Sequence, residues 1–138
     1  MSKTVLIACS SKKLPNKAPA RDLYTSPLFR KSLEYSELLV PNHTFILSAK
    51  HGLLELEEEI LPYEESLNTI GYGKRRDWAE SVLGSLEKKI NLDEEQITFL
   101  AGKKYREFLI PRIKHYEVPM KGLGIGEQLK WLNDRIEQ

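Results

Sequence analysis

"TVLIACSSKKL", residues 4–14, predicts the centre of the fold, because four apolar residues run directly into a cysteine, two serines and two lysines. A near-continuous apolar run is typical of a strand that is covered on both faces of a sheet, so residues 4–10 are predicted to form the first strand. Such a strand delivers the polar side chains that follow it to one edge of the sheet.

Strand and helix patterns alternate along the rest of the chain. Further strands are predicted at 43–49, 96–102 and 116–120. Helices are predicted to begin at Ser26-Pro27, to span 75–90 and 103–115, and to end the chain, with a kink or break at Pro111 inside the third. Four strands alternating with four helices predict an α/β domain with a mainly parallel sheet. At 138 residues, we expect one domain over 1–138.

The distribution of charge is more informative than its total. The formal net charge is only +1, so bulk charge predicts no strong attraction to nucleic acid. Residues 1–31, however, carry a net charge of +6, and residues 52–70 carry six glutamates and no basic residue. The separation of this basic segment and this acidic loop therefore decides whether either forms a binding surface.

Several classes of protein and site are not expected. Cys9 is the single cysteine, which excludes an intrachain disulfide and a cysteine-built zinc site. His43 and His115 begin predicted strands, at the opposite edge from His51, so we expect no metal site, and the sequence calls for no cofactor.

No stretch approaches the roughly 18 apolar residues of a membrane helix, and no signal core is present, so a cytoplasmic location without membrane contact is expected.

The loops that follow the four predicted strands share one feature, since each contains a lysine. Ligands of parallel α/β sheets bind beyond the carboxyl ends of the strands, where such loops meet. The candidate ligand-binding residues of these loops are Ser10, Ser11, Lys12, Lys13, Lys50, Gly52, Gly102 and Lys103. Lysines and hydroxyls together favour a phosphate or carboxylate, and hence a nucleotide or nucleic acid. The alternative is that these lysines are simply solvated strand ends.

Aromatic and ionisable side chains near these loops complete the candidate site. Tyr24, Tyr63 and Tyr105 are expected either to stack on a base or to pack half-buried. His51 exchanges protons near neutral pH, and Glu64 lies in the long acidic loop, so both are candidate catalytic residues. The simpler alternative for each is an exposed residue that forms ordinary hydrogen bonds.

Six segments together resemble a bacterial and phage domain family of unknown function, related to the YaaA-type peroxide-stress proteins and, more distantly, to uracil-DNA glycosylases and a domain of archaeosine synthase. The segments are LIACSSKKL, APARDLYTSPLF, FILSAKHGLLEL, LPYEESL, FLAGKKYREFL and GLGIGEQLKWL. The resemblance implies a three-layer α/β/α sandwich of the uracil-DNA glycosylase type, with a four-stranded sheet in the order 2-1-3-4. It also implies nucleobases, nucleotides or DNA as ligands.

The match by position covers three parts of the predicted site. Ser11 to Leu14 is similar to the lysine-bearing first loop of the YaaA type, and His51 to Leu54 with Pro62-Tyr63 resembles its Tyr-Gly and Pro-Tyr elements. Ala101-Gly102 with Tyr105 resembles a later segment. The sequence departs from the glycosylases, because CSSKK has no acidic or amide side chain and AGKKYRE has no histidine.

Three functions follow as expectations. The first is a nucleotide- or nucleic-acid-binding domain with an anion and nucleobase site at the carboxyl ends of the strands. The second is an N-glycosidase or related hydrolase that acts on a modified base. The third is a protein-interaction module in which the acidic loop between Glu55 and Glu65 contacts a basic partner.

Overall fold

Strands and helices alternate along the chain, and the computed structural model describes residues 1–138. The strands are β1 (Lys3–Ala8), β2 (Ala18–Pro19), β3 (His43–Ser48), β4 (Gly52–Glu55), β5 (Glu59–Ile60), β6 (Gln96–Leu100) and β7 (His115–Glu117). The helices are α1 (Ala20–Leu23), α2 (Pro27–Leu38), α3 (Tyr72–Glu87), α4 (Lys103–Arg106) and α5 (Ile125–Ile136). Short 3₁₀ turns form at Leu67–Thr69 and Ile110–Arg112.

The main sheet has five strands in the order β4-β3-β1-β6-β7. β1 lies at its centre and pairs in parallel with β3 and β6, and β6 pairs in parallel with β7. β4 is antiparallel to β3, so the sheet is mixed. The apolar run of β1 is buried because β1 is a central strand and helices cover both faces of the sheet.

The prediction of a four-stranded sheet is wrong, because β4 adds a fifth strand at the edge. Residues 52–55 were assigned to a long loop, although the chain reverses directly after β3 and pairs back along it. Gly52 adopts a φ of +74° at this reversal, a conformation that glycine reaches without steric cost. The same loop also contains β5, which pairs with β2 in a separate two-stranded sheet.

The third predicted helix is shorter than its apolar pattern indicates. α4 ends at Arg106, and Pro111 lies within the 3₁₀ turn that follows it. Proline has no N–H to donate and its ring clashes with the preceding turn, so a helix does not continue through it. The break predicted at Pro111 is therefore present, although the helix ends earlier than that residue.

Helices cover both faces of the main sheet. Alternation along β1 places Val5 and Ile7 in one apolar cluster and Leu6 in the other. The first cluster includes Phe29 and Leu33 of α2 and Leu132 of α5, and the second includes Ala79, Val82, Leu83 and Leu86 of α3. The domain is thus an α/β fold in which a helical layer packs on each side of the sheet.

A buried carboxylate ties together the amino ends of β1 and β6. Glu95 is 5% exposed, and its Oε2 accepts hydrogen bonds from Ser2 Oγ at 3.1 Å and Thr4 Oγ1 at 2.6 Å. Hydroxyl donors of this kind satisfy a carboxylate that has lost its water. Because Glu95 lies at the edge opposite the carboxyl ends of the parallel strands, its role is structural.

No helix in the structure combines the length and the apolar composition that crossing a membrane requires.

The residue after the C-cap of α2 is expected to be a stability defect. Val40 is 83% exposed and adopts a φ of +48°, the left-handed region that disfavours β-branched residues. Replacing Val40 with glycine should raise the free energy of unfolding by about 0.5–1 kcal/mol, since relief of strain outweighs the greater freedom of the unfolded chain. Urea denaturation of the wild type and of Val40→Gly measures this change, and a less stable glycine variant would contradict it.

Candidate ligand cavity at the carboxyl edge of the sheet

The carboxyl ends of β1 and β6 form the floor of a cavity of about 350 Å³. β1 ends at Ala8 and is followed by Cys9 and Ser10, and β6 ends at Leu100 and is followed by Ala101. The two strands are parallel neighbours, so these chain ends lie side by side. The residues that line the floor are small, which leaves space above the end of the sheet.

Aromatic and apolar side chains form the walls of this cavity, which we call the strand-end cavity. Phe29 comes from α2, Tyr105 from α4, and Met120 from the segment after β7. Ser26 caps α2 by accepting a hydrogen bond from the N–H of Phe29 at 3.2 Å, so the first turn of that helix is fixed against the cavity. The walls of the strand-end cavity are therefore largely apolar.

The charged groups of the strand-end cavity have one sign. Lys103 and Lys104 line it, together with the polar residues Ser26, Asn68 and Gln128, and no aspartate, glutamate or histidine does so. Both lysines are exposed and neither forms an ion pair. A cavity with cations and no carboxylate attracts an anionic ligand.

Tyr105 lies between the strand-end cavity and the core. Its hydroxyl is 3.5 Å from Cys9 Sγ and accepts a hydrogen bond from the N–H of Leu67 at 3.4 Å. The indole of Trp78 packs edge-on against its ring at 5.8 Å between centroids. Burial, and then the neighbouring Cys9, raises the pKa of Tyr105 well above its ordinary value, so the phenol is neutral at physiological pH.

A second, smaller cleft of about 60 Å³ adjoins the strand-end cavity through Cys9, Ser10 and Tyr105. Lys13 Nζ lies 4.3 Å from the centroid of the Tyr63 ring, a cation–π contact. Glu64 also lines this cleft, so its charges are of both signs. The mixed charge makes this cleft a weaker anion site than the strand-end cavity.

A chain of buried hydroxyls lies beneath the cleft, formed by Tyr24, Tyr63 and Ser48. The Tyr24 and Tyr63 hydroxyl oxygens are 2.6 Å apart, and the Tyr63 hydroxyl is 2.7 Å from Ser48 Oγ, which also accepts the N–H of His51 at 3.0 Å. Burial raises the pKa of Tyr24 to about 12 and that of Tyr63 still further. Both phenols are therefore neutral, and the hydroxyl chain fixes the long acidic loop to the end of β3.

The structure divides the sequence-predicted site residues into four groups. Ser10, Gly102, Lys103 and Tyr105 line the strand-end cavity, and Ser11, Lys13, Tyr63 and Glu64 line the adjoining cleft. Tyr24 is fully buried behind Tyr63. Lys12, Lys50, His51 and Gly52 line neither space.

The last group lies apart for local reasons. The backbone carbonyl of Lys12 accepts a hydrogen bond from the N–H of Thr25, and its side chain is exposed. Lys50 and His51 lie in the exposed turn between β3 and β4, where the imidazole of His51 packs edge-on against Tyr63 at 5.5 Å. Six lysines follow the predicted strands in the sequence, but only Lys103 and Lys104 line the strand-end cavity.

Several residues of the strand-end cavity were not candidates in the sequence. None of these residues directly follows a strand. Phe29 lies on α2 and Asn68 on a 3₁₀ turn, while Met120 lies in the segment after β7 and Gln128 lies on α5. The Ser26-Pro27 helix start is the one sequence signal for this wall, because it fixes where α2 begins. No group of three or more histidine, cysteine, aspartate or glutamate side chains is placed to hold a metal ion.

Comparison with known proteins places residues 4–134 within one family model, described as a family of unknown function, DUF6884. No curated protein and no solved structure matches the chain in the same comparisons. The match covers nearly the whole chain, and thus both the sheet and the strand-end cavity.

Proposed function

Because the chain belongs to the DUF6884 family, whose function is unknown, we propose a function from its own strand-end cavity. The protein binds a nucleotide or nucleic acid, with a base between the apolar walls and a phosphate at Lys103 and Lys104. One observation supports this proposal above the others: the cavity combines aromatic walls and two lysines with no carboxylate.

The walls fit the chemistry of a nucleobase. A base has apolar faces and polar edges, and it stacks on aromatic side chains regardless of its sequence identity. Phe29 and Tyr105 supply aromatic surface, while Ser26, Asn68 and Gln128 supply donors and acceptors for the edges. Sites for small ligands typically combine an apolar lining with a few polar groups in this way.

The lysines fit the chemistry of a phosphate. The ammonium group of Lys103 forms no hydrogen bond with the protein, and Lys104 Nζ makes only a long contact of 3.5 Å with the carbonyl of Asn68. Neither ammonium group therefore gives up a protein partner when it binds an anion. Glu64 and Glu65 of the acidic loop line the adjoining cleft and not the strand-end cavity, which leaves the phosphate side of the strand-end cavity cationic.

The resemblance to the YaaA-type and uracil-DNA glycosylase-like proteins agrees with this proposal in its ligand class. We propose a glycosylase-like sandwich as the wider fold group, since helices cover both faces of a sheet whose central strands are parallel. Base excision is not part of the proposal. His51 and Glu64 lie outside the strand-end cavity, and no carboxylate or imidazole lines it to activate water.

Salt-dependent binding of a fluorescein-labelled oligothymidylate tests the proposal. Binding should weaken as salt rises, with a log–log slope of about −1.4 or steeper, because each neutralised phosphate of a single strand contributes about −0.7. Anisotropy titrations at a series of salt concentrations measure the slope, with 2′-deoxynucleoside 5′-monophosphates as competitors. Failure to bind any nucleotide or oligonucleotide at low salt would refute the proposal.

A further inference from the structure

A second cavity, of about 430 Å³, adjoins the strand-end cavity on the side of β7 and α5. The two share Ala101, Gly102, Lys103, Met120 and Gln128. Its other side is formed by the turn from Gly122 to Gly124, just before α5. A ligand in the strand-end cavity therefore has a direct route into this second space.

Arg106 lines the second cavity and has no acidic partner. One of its terminal nitrogens donates a hydrogen bond to the carbonyl of Ala101 at 2.7 Å, and no carboxylate lies within ion-pair distance. The side chain is half-buried, and that burial lowers the pKa of Arg106. The cost of removing this cation from water is thus not offset by any anion of the protein.

Arg75, another partly buried arginine of this fold, does have an acidic partner. Its side chain is 14% exposed, and its Nε donates to Glu107 at 3.2 Å. The acidic neighbour in sequence, Glu107, thus pairs with Arg75 and not with Arg106. Since no aspartate or glutamate lines the second cavity, the guanidinium of Arg106 faces a space with no negative charge.

We propose that the second cavity is an anion subsite, in which Arg106 and Lys103 bind a phosphate. The planar guanidinium suits the paired oxygens of a phosphate, and its bond to the Ala101 carbonyl holds it in place while most of its N–H donors stay available. The inference rests on the proposed function for its ligand class. It adds a phosphate contact at Arg106, in the adjoining cavity, to the contacts proposed at Lys103 and Lys104.

The phosphate has two possible sources with the same chemistry, the ligand's own 5′-phosphate or the phosphodiester of a strand. Calorimetric titration with a 2′-deoxynucleoside, its 5′-monophosphate and the matching dinucleoside monophosphate distinguishes them. We expect the phosphorylated ligands to bind about tenfold more tightly than the nucleoside, the range of a charge-assisted hydrogen bond. Preference for the monophosphate identifies the terminal phosphate, and preference for the dinucleotide identifies the strand.

Variants at Arg106 separate this subsite from the strand-end cavity. Arg106→Gln should reduce the preference for phosphorylated ligands by several-fold without abolishing it, because Lys103 and Lys104 still contact phosphate, and it should leave nucleoside affinity unchanged. Arg106→Lys should keep part of the preference that Arg106→Gln loses. Arg76→Gln, which removes an exposed arginine stacked on Tyr72, is the matched control and should change neither affinity. An unchanged preference in a folded Arg106→Gln variant would overturn the inference.

A measurement on the wild type is independent of how the variants fold. Titration with inorganic phosphate should shift the ¹⁵N–¹H signal of the Arg106 side chain, which is assigned by through-bond correlation to the backbone amide of the same residue. No shift, in a protein that binds nucleotides, overturns the subsite and leaves the proposed function intact. A shift in a protein that binds no nucleotide supports the subsite and refutes the proposed function.

Discussion

Replacement of both Lys103 and Lys104 with glutamine is expected to weaken oligothymidylate binding about thirtyfold, from a loss of roughly 1 kcal/mol at each phosphate contact. The two ammonium groups are the only cations that line the strand-end cavity. Their loss should also reduce the magnitude of the salt slope by about 1.4, because the slope counts neutralised phosphates. Anisotropy titrations of the double variant at several salt concentrations measure both quantities.

The matched control is the double replacement of Lys74 and Lys88, which removes the same charge from exposed positions on and just after α3. It should change affinity by less than about twofold, since distant surface charges are largely screened. Equal losses in the two double variants would show that binding follows net charge alone. That outcome would contradict a phosphate site at Lys103 and Lys104.

The second large effect concerns the hydroxyl chain, and it is an effect on stability. Tyr63→Phe should lower the free energy of unfolding by about 2 kcal/mol, because it leaves the buried hydroxyl of Tyr24 without a partner. Tyr24 loses its hydrogen bond to Tyr63 in a fully buried position, whereas Ser48 still accepts the N–H of His51. The ring is retained, so the packing of Lys13 and His51 on it is unchanged.

Urea denaturation followed by tryptophan fluorescence measures this loss. Tyr116→Phe is the control, because Tyr116 is 45% exposed and its hydroxyl forms no hydrogen bond within the protein. We expect the control to change stability by less than about 0.5 kcal/mol, as surface substitutions usually do. A Tyr63→Phe variant as stable as the wild type would show that the hydroxyl chain does not hold the acidic loop.

The features of the fold that could be predicted are those with strong local signals. The apolar run of β1 predicted a central strand, and Ser26-Pro27 predicted the start of α2, because burial on two faces and helix capping leave clear patterns. β4 gave no such pattern. Its pairing depends on the tight reversal at Gly52, and three apolar or small residues beside a glutamate do not distinguish a short edge strand from a loop.

The candidate site was predictable in place but not in detail. The rule that parallel strands bring their following loops to one edge correctly places Ser10 and Lys103 around one cavity. It does not give the direction of a side chain, so Lys12 and Lys50 follow predicted strands in the sequence and yet do not line the cavity. Phe29 and Gln128 lie in helices that the rule does not address, and only packing brings them there.

The most direct test of the central claim is a ¹⁵N–¹H NMR titration of the full chain with 2′-deoxynucleoside 5′-monophosphates. If the strand-end cavity holds the nucleotide, the largest amide shifts will fall at Ser10, Ala101, Gly102 and Tyr105, around the carboxyl ends of β1 and β6. Shifts confined to the acidic loop or to the far end of α3, or no shift at all, would contradict a nucleotide site at this edge of the sheet.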